Sequence, residues 1–390
     1  MTVPPLGDAV ADVGMCSTPH QPVPFTIREA TEHDNEALIA LAASCPMRGA
    51  LSLRVDRNPD FFALSRLEGE RLQIGVAERG GAIVGCAAWS ERMSYVHGAP
   101  VRTGYASDLK VHPAHRDGAV ADALSRYTAR AARRLPAGSL AMITVLSGNT
   151  AMERRLCGPR GLPRFVRLGT IRSHAVSILW RRRVRGPAAC IRIDQARWTD
   201  VDEMAALWRG VAPLRQFAPA LDAGTMASWI RAAPGLGISS YALARSSGGE
   251  LLGFFALWDQ SSFKQMIIES YSARLSIARH VFNALAPVIR AEPLPAEREP
   301  LRLLTAAHIC VPGDRPEVLR ALVARAHNDL CHSSYSLFNV GLDVRDPLTH
   351  AMRGLLAQPT DIDAYVARTG VPPDPESLSD RPLHYEIALV

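Results

Sequence analysis

A chain of 390 residues that is 47% hydrophobic and 21% charged is long enough for two or three domains, each with its own core. It has no run approaching the eighteen apolar residues of a membrane helix, and no basic stretch leading into an apolar core, so neither a membrane span nor a secretion signal is expected. The seven cysteines (16, 45, 86, 157, 190, 310 and 331) are odd in number and lack metal-ligand spacing, which excludes a disulfide scaffold and fits free thiols in the cytoplasm. The net charge of +6 is carried almost wholly by arginine, since only Lys110 and Lys264 are lysines. The one dense basic run, Arg181–Arg185, has no interleaved aromatics; it reads as solvated linker and gives no basis for nucleic-acid binding.

Residues 1–24 hold five prolines and read as a flexible tail. Phe25–Arg28 starts a strand, and a helix follows with Ala37, Leu38, Leu41 and Ala42 on one face. Arg54–Leu67 reads as a loop and a second helix that buries Phe61, Phe62 and Leu64. Its charged residues Arg54, Asp56, Arg57 and Asp60 read as a solvated surface, with substrate selection as the alternative. Leu72–Glu78 and Ile83–Ser90 form a hairpin across Gly80-Gly81. Ser107–Val111 is a strand that Pro113 ends. The helix opening near Gly118 buries Val120, Ala123, Leu124, Tyr127 and Ala131. Leu140–Leu146 is a further strand, Asn149 opens a helix to about Leu156, and Phe165–Ser177 supplies one or two closing strands.

The run Arg116-Asp117-Gly118-Ala119-Val120-Ala121 sets small residues at a helix start, where free N–H groups and the helix dipole suit a phosphate. Tight strand-to-helix packing would select the same residues. Together with Val111-His112-Pro113, the stretch resembles motif A of the GNAT superfamily of acetyl-coenzyme A-dependent N-acyltransferases: V-x-P, then [Q/R]-x-x-[G/A]-x-[G/A]. The resemblance covers residues 25–180. It implies an α/β fold with a mixed sheet, a coenzyme-binding domain over those residues, and acetyl-CoA as co-substrate.

The second half repeats the pattern. Ile27, Ala30, Asp34 and Leu38 return as Ile193, Ala196, Asp200 and Met204; Gly80-Gly81-x-Ile83-Val84-Gly85 returns as Gly248-Gly249-x-Leu251-Leu252-Gly253. Two tandem GNAT-like domains are therefore expected: 25–180, a linker at 181–190, and 191–390. Ser262–Pro300 has no counterpart and adds a helix. In the second copy Pro312 and Pro316 remove two backbone donors and Asp314 repels phosphate, so it is expected not to bind coenzyme.

The resemblance assigns the pantetheine arm to the backbone of Leu109, Lys110 and Val111, the pyrophosphate to Arg116, Asp117, Gly118, Ala119, Val120 and Ala121, and a coenzyme contact to Asn149, which as a residue is equally a plain helix cap. Asp108 is the expected general base, with His112 and His115 ranked below it. The family's tyrosine acid has no match: its position is Leu156, beside Cys157, which is expected to be a small buried residue. Tyr105 and Tyr95 are the nearest substitutes. The acceptor is expected to be an amine on a small molecule or peptide, and the second domain to shape its pocket or a homodimer surface. The competing reading is a GNAT-fold protein that binds acyl-CoA or a protein partner without turnover.

Overall fold

The computed structural model describes residues 24–158, 164–289, 291–369 and 378–389; the expected N-terminal tail lies almost wholly outside them. The first half runs β1 (Phe25–Glu29), α1 (Asn35–Ala43), β2 (Leu51–Asp56), α2 (Ser65–Glu68), β3 (Arg71–Arg79), β4 (Ala82–Val96), β5 (Ala99–Val111), α3 (Ala119–Ala132), β6 (Leu140–Leu146), α4 (Thr150–Cys157) and β7 (Val166–Ser177). The second runs β8 (Arg192–Gln195), α5 (Val201–Val211), α6 (Ala223–Ala232), β9 (Tyr241–Arg245), β10 (Leu251–Trp258), β11 (Gln265–Tyr271), α7 (Ala273–Ile289), β12 (Pro300–Leu301), β13 (Leu303–Cys310), α8 (Pro316–Leu330), β14 (Leu337–Asp343) and β15 (Ala357–Arg368). The expected α/β class and mixed sheet are what the chain forms.

Twelve strands make one sheet in the order β1-β3-β4-β5-β6-β15-β7-β14-β13-β10-β9-β8. Read inward from either edge it follows one plan: β1-β3-β4-β5-β6 from one side and β8-β9-β10-β13-β14 from the other. The closing strands are exchanged. β15 pairs with β6, and β7 pairs with β14, both antiparallel, and the two pair with each other at the centre. The expected linker at 181–190 lies between β7 and β8, and the sheet runs on across the two halves.

Apolar periodicity explains how the helices cover this sheet. Val120, Leu124 and Ala131 of α3 are buried, as are Val318, Leu319, Leu322 and Val323 of α8. Each buried Leu or Val contributes roughly 1.5–3 kcal/mol. The repeated glycines let these helices come close. A β-carbon at Gly85 would stand 2.9 Å from Val120 Cγ1, and one at Gly253 would stand 2.9 Å from Val318 Cγ1.

Two local expectations are corrected. Arg54–Asp56 is not loop but the end of β2, whose partner is β11, about 215 residues away; a second, three-stranded sheet β12-β11-β2 results. Ser262–Pro300 does add a helix, α7, but also the strand β11 that makes this pairing.

Candidate active site

β5 and β6 pair in parallel only through Gly104–Ala106 and Ala141–Ile143. Beyond that point they part, β5 running on to Val111 and β6 to Leu146. The cause lies on the other edge of β5. Opposite Ala87 of β4, β5 fits two residues, Asp108 and Leu109, and such a bulge bends its strand. Asp108 has φ 52°, a left-handed conformation that Asp tolerates better than most residues. Leu109 and Val111 pack against Val120 and Leu124, so the fork has a fixed wall on the α3 side.

The motif turn stands beyond Val111, at the end of β5. Gly118 has φ 92° and open space where a β-carbon would be, and α3 starts at the next residue. Arg116 Nε donates to Val111 O at 3.1 Å, tying the turn to the strand. Asp117 Oδ1 accepts from the Ala119 amide at 3.0 Å. An anion at this turn therefore meets Val120 and Ala121 directly and must displace Asp117 from Ala119. Asn149 Oδ1 accepts from the Met152 amide at 3.2 Å, so its oxygen serves as the cap of α4. The open turn and the parted strands fit an extended, anionic thioester such as acyl-CoA.

Asp108 does not fit the role of base. Arg57 Nη1 donates to its Oδ2 at 2.6 Å, and Lys110 Nζ pairs with its Oδ1. Burial alone would raise this carboxyl, but Arg57 and Lys110 outweigh it and hold it well below the usual carboxylate range. A carboxylate so held takes up a proton poorly near neutrality. Arg57 itself is buried, with its guanidinium 4.8 Å from the Phe61 ring centroid, and is not the surface charge expected. His112 and His115 lie at the turn, where His112 Nδ1 accepts the Ala114 amide and His115 meets Arg79. Cys157 is exposed, not buried.

Sequence reasoning named Tyr105 only as a substitute for the family's tyrosine and missed the polar face it joins at the start of the fork. Tyr105 of β5, Thr144 of β6 and Tyr385 near the C-terminus form a triangle of hydroxyls, with oxygen separations of 2.7, 2.8 and 2.7 Å. Burial pushes Tyr385 up to about 12 and Tyr105 well above its ordinary value, so both phenols stay protonated and can donate. Glu68 of α2 is buried and accepts from Ser107 Oγ at 3.1 Å. Burial, then the Asp108 charge, pushes Glu68 up to about 7. Nothing in the helix Ser65-Arg66-Leu67-Glu68 itself singled out Glu68.

The second half has the same fork. β13 and β14 pair only at Leu303–Thr305 and Leu337–Asn339, and β13 bulges opposite Phe255. This fork is filled by the chain itself. A β-carbon at Gly341 would stand 2.5 Å from Ile387 Cγ2, and the amide of His308 donates to Glu386 Oε2 at 2.9 Å. Leu383 N donates to Asp343 Oδ2 at 2.6 Å, and the buried pair Arg215–Asp346 closes the remainder. The space left is about 20 Å³, room for about one water.

No family model matches the chain, and no curated protein matches it. Solved structures do. N-myristoyltransferase from Saccharomyces cerevisiae, crystallised with bound myristoyl-CoA, is 12% identical, with 95% of this chain and 92% of that chain covered and a TM-score of 0.60. A GCN5-related N-acetyltransferase from Sphaerobacter thermophilus is 12% identical, with 90% and 99% covered and a TM-score of 0.51. A third, the GCN5-related N-acetyltransferase from Anabaena variabilis, is 11% identical, with 88% and 73% covered and a TM-score of 0.51. The chain has the GNAT fold of these N-acyltransferases, laid out twice in one continuous sheet.

Proposed function

We propose that the chain is an N-acyltransferase that moves an acetyl or other short acyl group from acyl-CoA to a primary amine on a small molecule or peptide. The observation that carries this is the β5–β6 fork with the open Gly118 turn at its end. In this reading the strand backbone at Leu109–Val111 faces the pantetheine arm, and Arg116 with the amides of Gly118, Val120 and Ala121 faces the pyrophosphate. The Tyr105–Thr144–Tyr385 hydroxyls supply the proton that the departing thiolate takes. Asp108 anchors the bulge through Arg57 and Lys110 and so fixes the fork. The second fork, filled by Leu383–Ile387, takes no coenzyme, giving one site per chain.

The six described cysteines are free, which supports a reducing, cytoplasmic setting; among the described residues no helix is long and apolar enough to cross a membrane. The position of the family's tyrosine acid is taken by the buried Leu156, which favours a second reading, a protein that holds acyl-CoA without turnover. Incubating the chain with acetyl-CoA and a panel of amines separates the two. Amine-dependent release of free thiol is expected from an acyltransferase, whereas coenzyme binding with no amine-dependent release supports the second reading.

A further inference from the structure

We propose that Glu68 is the general base of this site, the group that takes the proton from the acceptor ammonium. The inference rests on the acyltransferase reading above. Glu68 lies on α2 over the strands that form the fork: its carboxylate accepts from Ser107, the residue just before the bulge and just after the last β5–β6 pair. Two further buried hydroxyls, Ser65 Oγ on α2 and Ser90 Oγ on β4 beside β5, have no hydrogen-bond partner among the described residues. Ser90 is the register partner of Tyr105, whose phenol belongs to the hydroxyl triangle at the fork. Unpartnered buried hydroxyls are costly unless a polar ligand meets them, so this face is built to receive one.

The charged groups around Glu68 set its protonation. Asp108 on β5 repels it; Arg57 before α2 and Arg92 on β4 attract it. Tyr105 and Tyr385 feel its charge, while Glu91 of β4 hydrogen-bonds Trp89 and Arg66 of α2 pairs with Glu32 and Asp60. Glu386, in the C-terminal segment beside α2, is held by the His308 amide. Burial dominates these influences and leaves Glu68 near 7, where it can both accept and release a proton.

The balance is complete without another reactant. Glu68 removes one ammonium proton, and the freed nitrogen pair forms the C–N bond to the acyl carbon. The C–S bond breaks with its electron pair on sulfur, and the second nitrogen proton reaches the thiolate by way of the hydroxyl triangle. Glu68 then gives its proton to solvent.

Two measurements on Glu68→Gln test this. In the first, acyl transfer should fall about 10²–10⁴-fold, the usual worth of a general base, with acetyl-CoA affinity unchanged and the rise in rate near pH 7 gone. Retained activity with the wild-type pH profile would overturn the assignment while leaving the acyltransferase reading intact. The second needs no turnover. A carboxyl raised in the folded state stabilises it below pH 4.5 and loses that stability as pH rises through about 7. The melting temperature of Glu68→Gln should therefore gain on wild type between pH 5 and pH 8. A difference that stays flat with pH would overturn Glu68 as the proton acceptor even if no amine substrate is found.

Discussion

Asp108 and His308 hold the same place in the two halves of the sheet: each sits at the bulge before its strand's end, with φ of 52° and 50°. Around Asp108 the partners are cations, Arg57 and Lys110. Around His308 they are a phenol, with Tyr241 Oη 2.7 Å from Nδ1, and Trp229, whose ring centroid lies 4.2 Å away. One bulge thus became a charged anchor beside an open fork, and the other an aromatic core beside a filled one.

Arg57→Ala tests the anchor. It removes one of the two cations paired with the buried Asp108, and breaking a buried pair costs about 3–5 kcal/mol. A loss near the lower end, about 3 kcal/mol, is expected in chemical denaturation because Lys110 remains. Asp108→Asn should likewise lower the melting temperature, and high pH should not restore its activity. Selective loss of turnover with unchanged stability, recovered at high pH, would return the role of base to Asp108.

The filled second fork predicts that Ile387→Ala destabilises the chain by about 2–5 kcal/mol, the range for deleting a buried isoleucine side chain. The buried tail packs Ile387 against Gly341, so the loss should appear in thermal or urea unfolding. A change below about 0.5 kcal/mol, the range of surface substitutions, would show that the tail does not hold this fork in solution.

Burial holds His308 down to about 3 and His384 well below its ordinary value. Both stay neutral in the fold but charge on unfolding, so they contribute stability that is present above pH 6.5 and lost as pH falls toward 3. Glu68 and Glu386, both raised to about 7, slope the other way between pH 4.5 and 7. The difference between wild type and His308→Asn isolates the histidine. That variant should lose less stability than wild type between pH 7 and pH 5, measured by denaturant unfolding, and equal losses would contradict the account.

The parts of this fold that repeat locally were legible in the residues. Val111-His112-Pro113 with Gly118 marked the strand, turn and helix, and Gly85 and Gly253 marked the duplication because each is required by a close helix. What depended on distant partners was not. Asp108 looked like a free acid because Arg57, which holds it, lies 51 residues earlier in a stretch that read as solvent-facing. Glu68 gave little sign because its burial comes from β4, β5 and the C-terminal segment together. The exchange of β7 and β15 was invisible for a related reason: alternation says that a strand exists but not which neighbour it pairs with.

The central claim is that the β5–β6 fork, with its turn at Gly118, is the acyl-CoA site, and calorimetric titration of acetyl-CoA tests it most directly. Wild type should bind one equivalent per chain. Ala119→Glu places a carboxylate among the turn's amides and should abolish binding while the unliganded melting temperature stays near wild type, since Ala119 is exposed at the start of its helix. Unchanged affinity in Ala119→Glu, or two equivalent sites in wild type, would contradict the account.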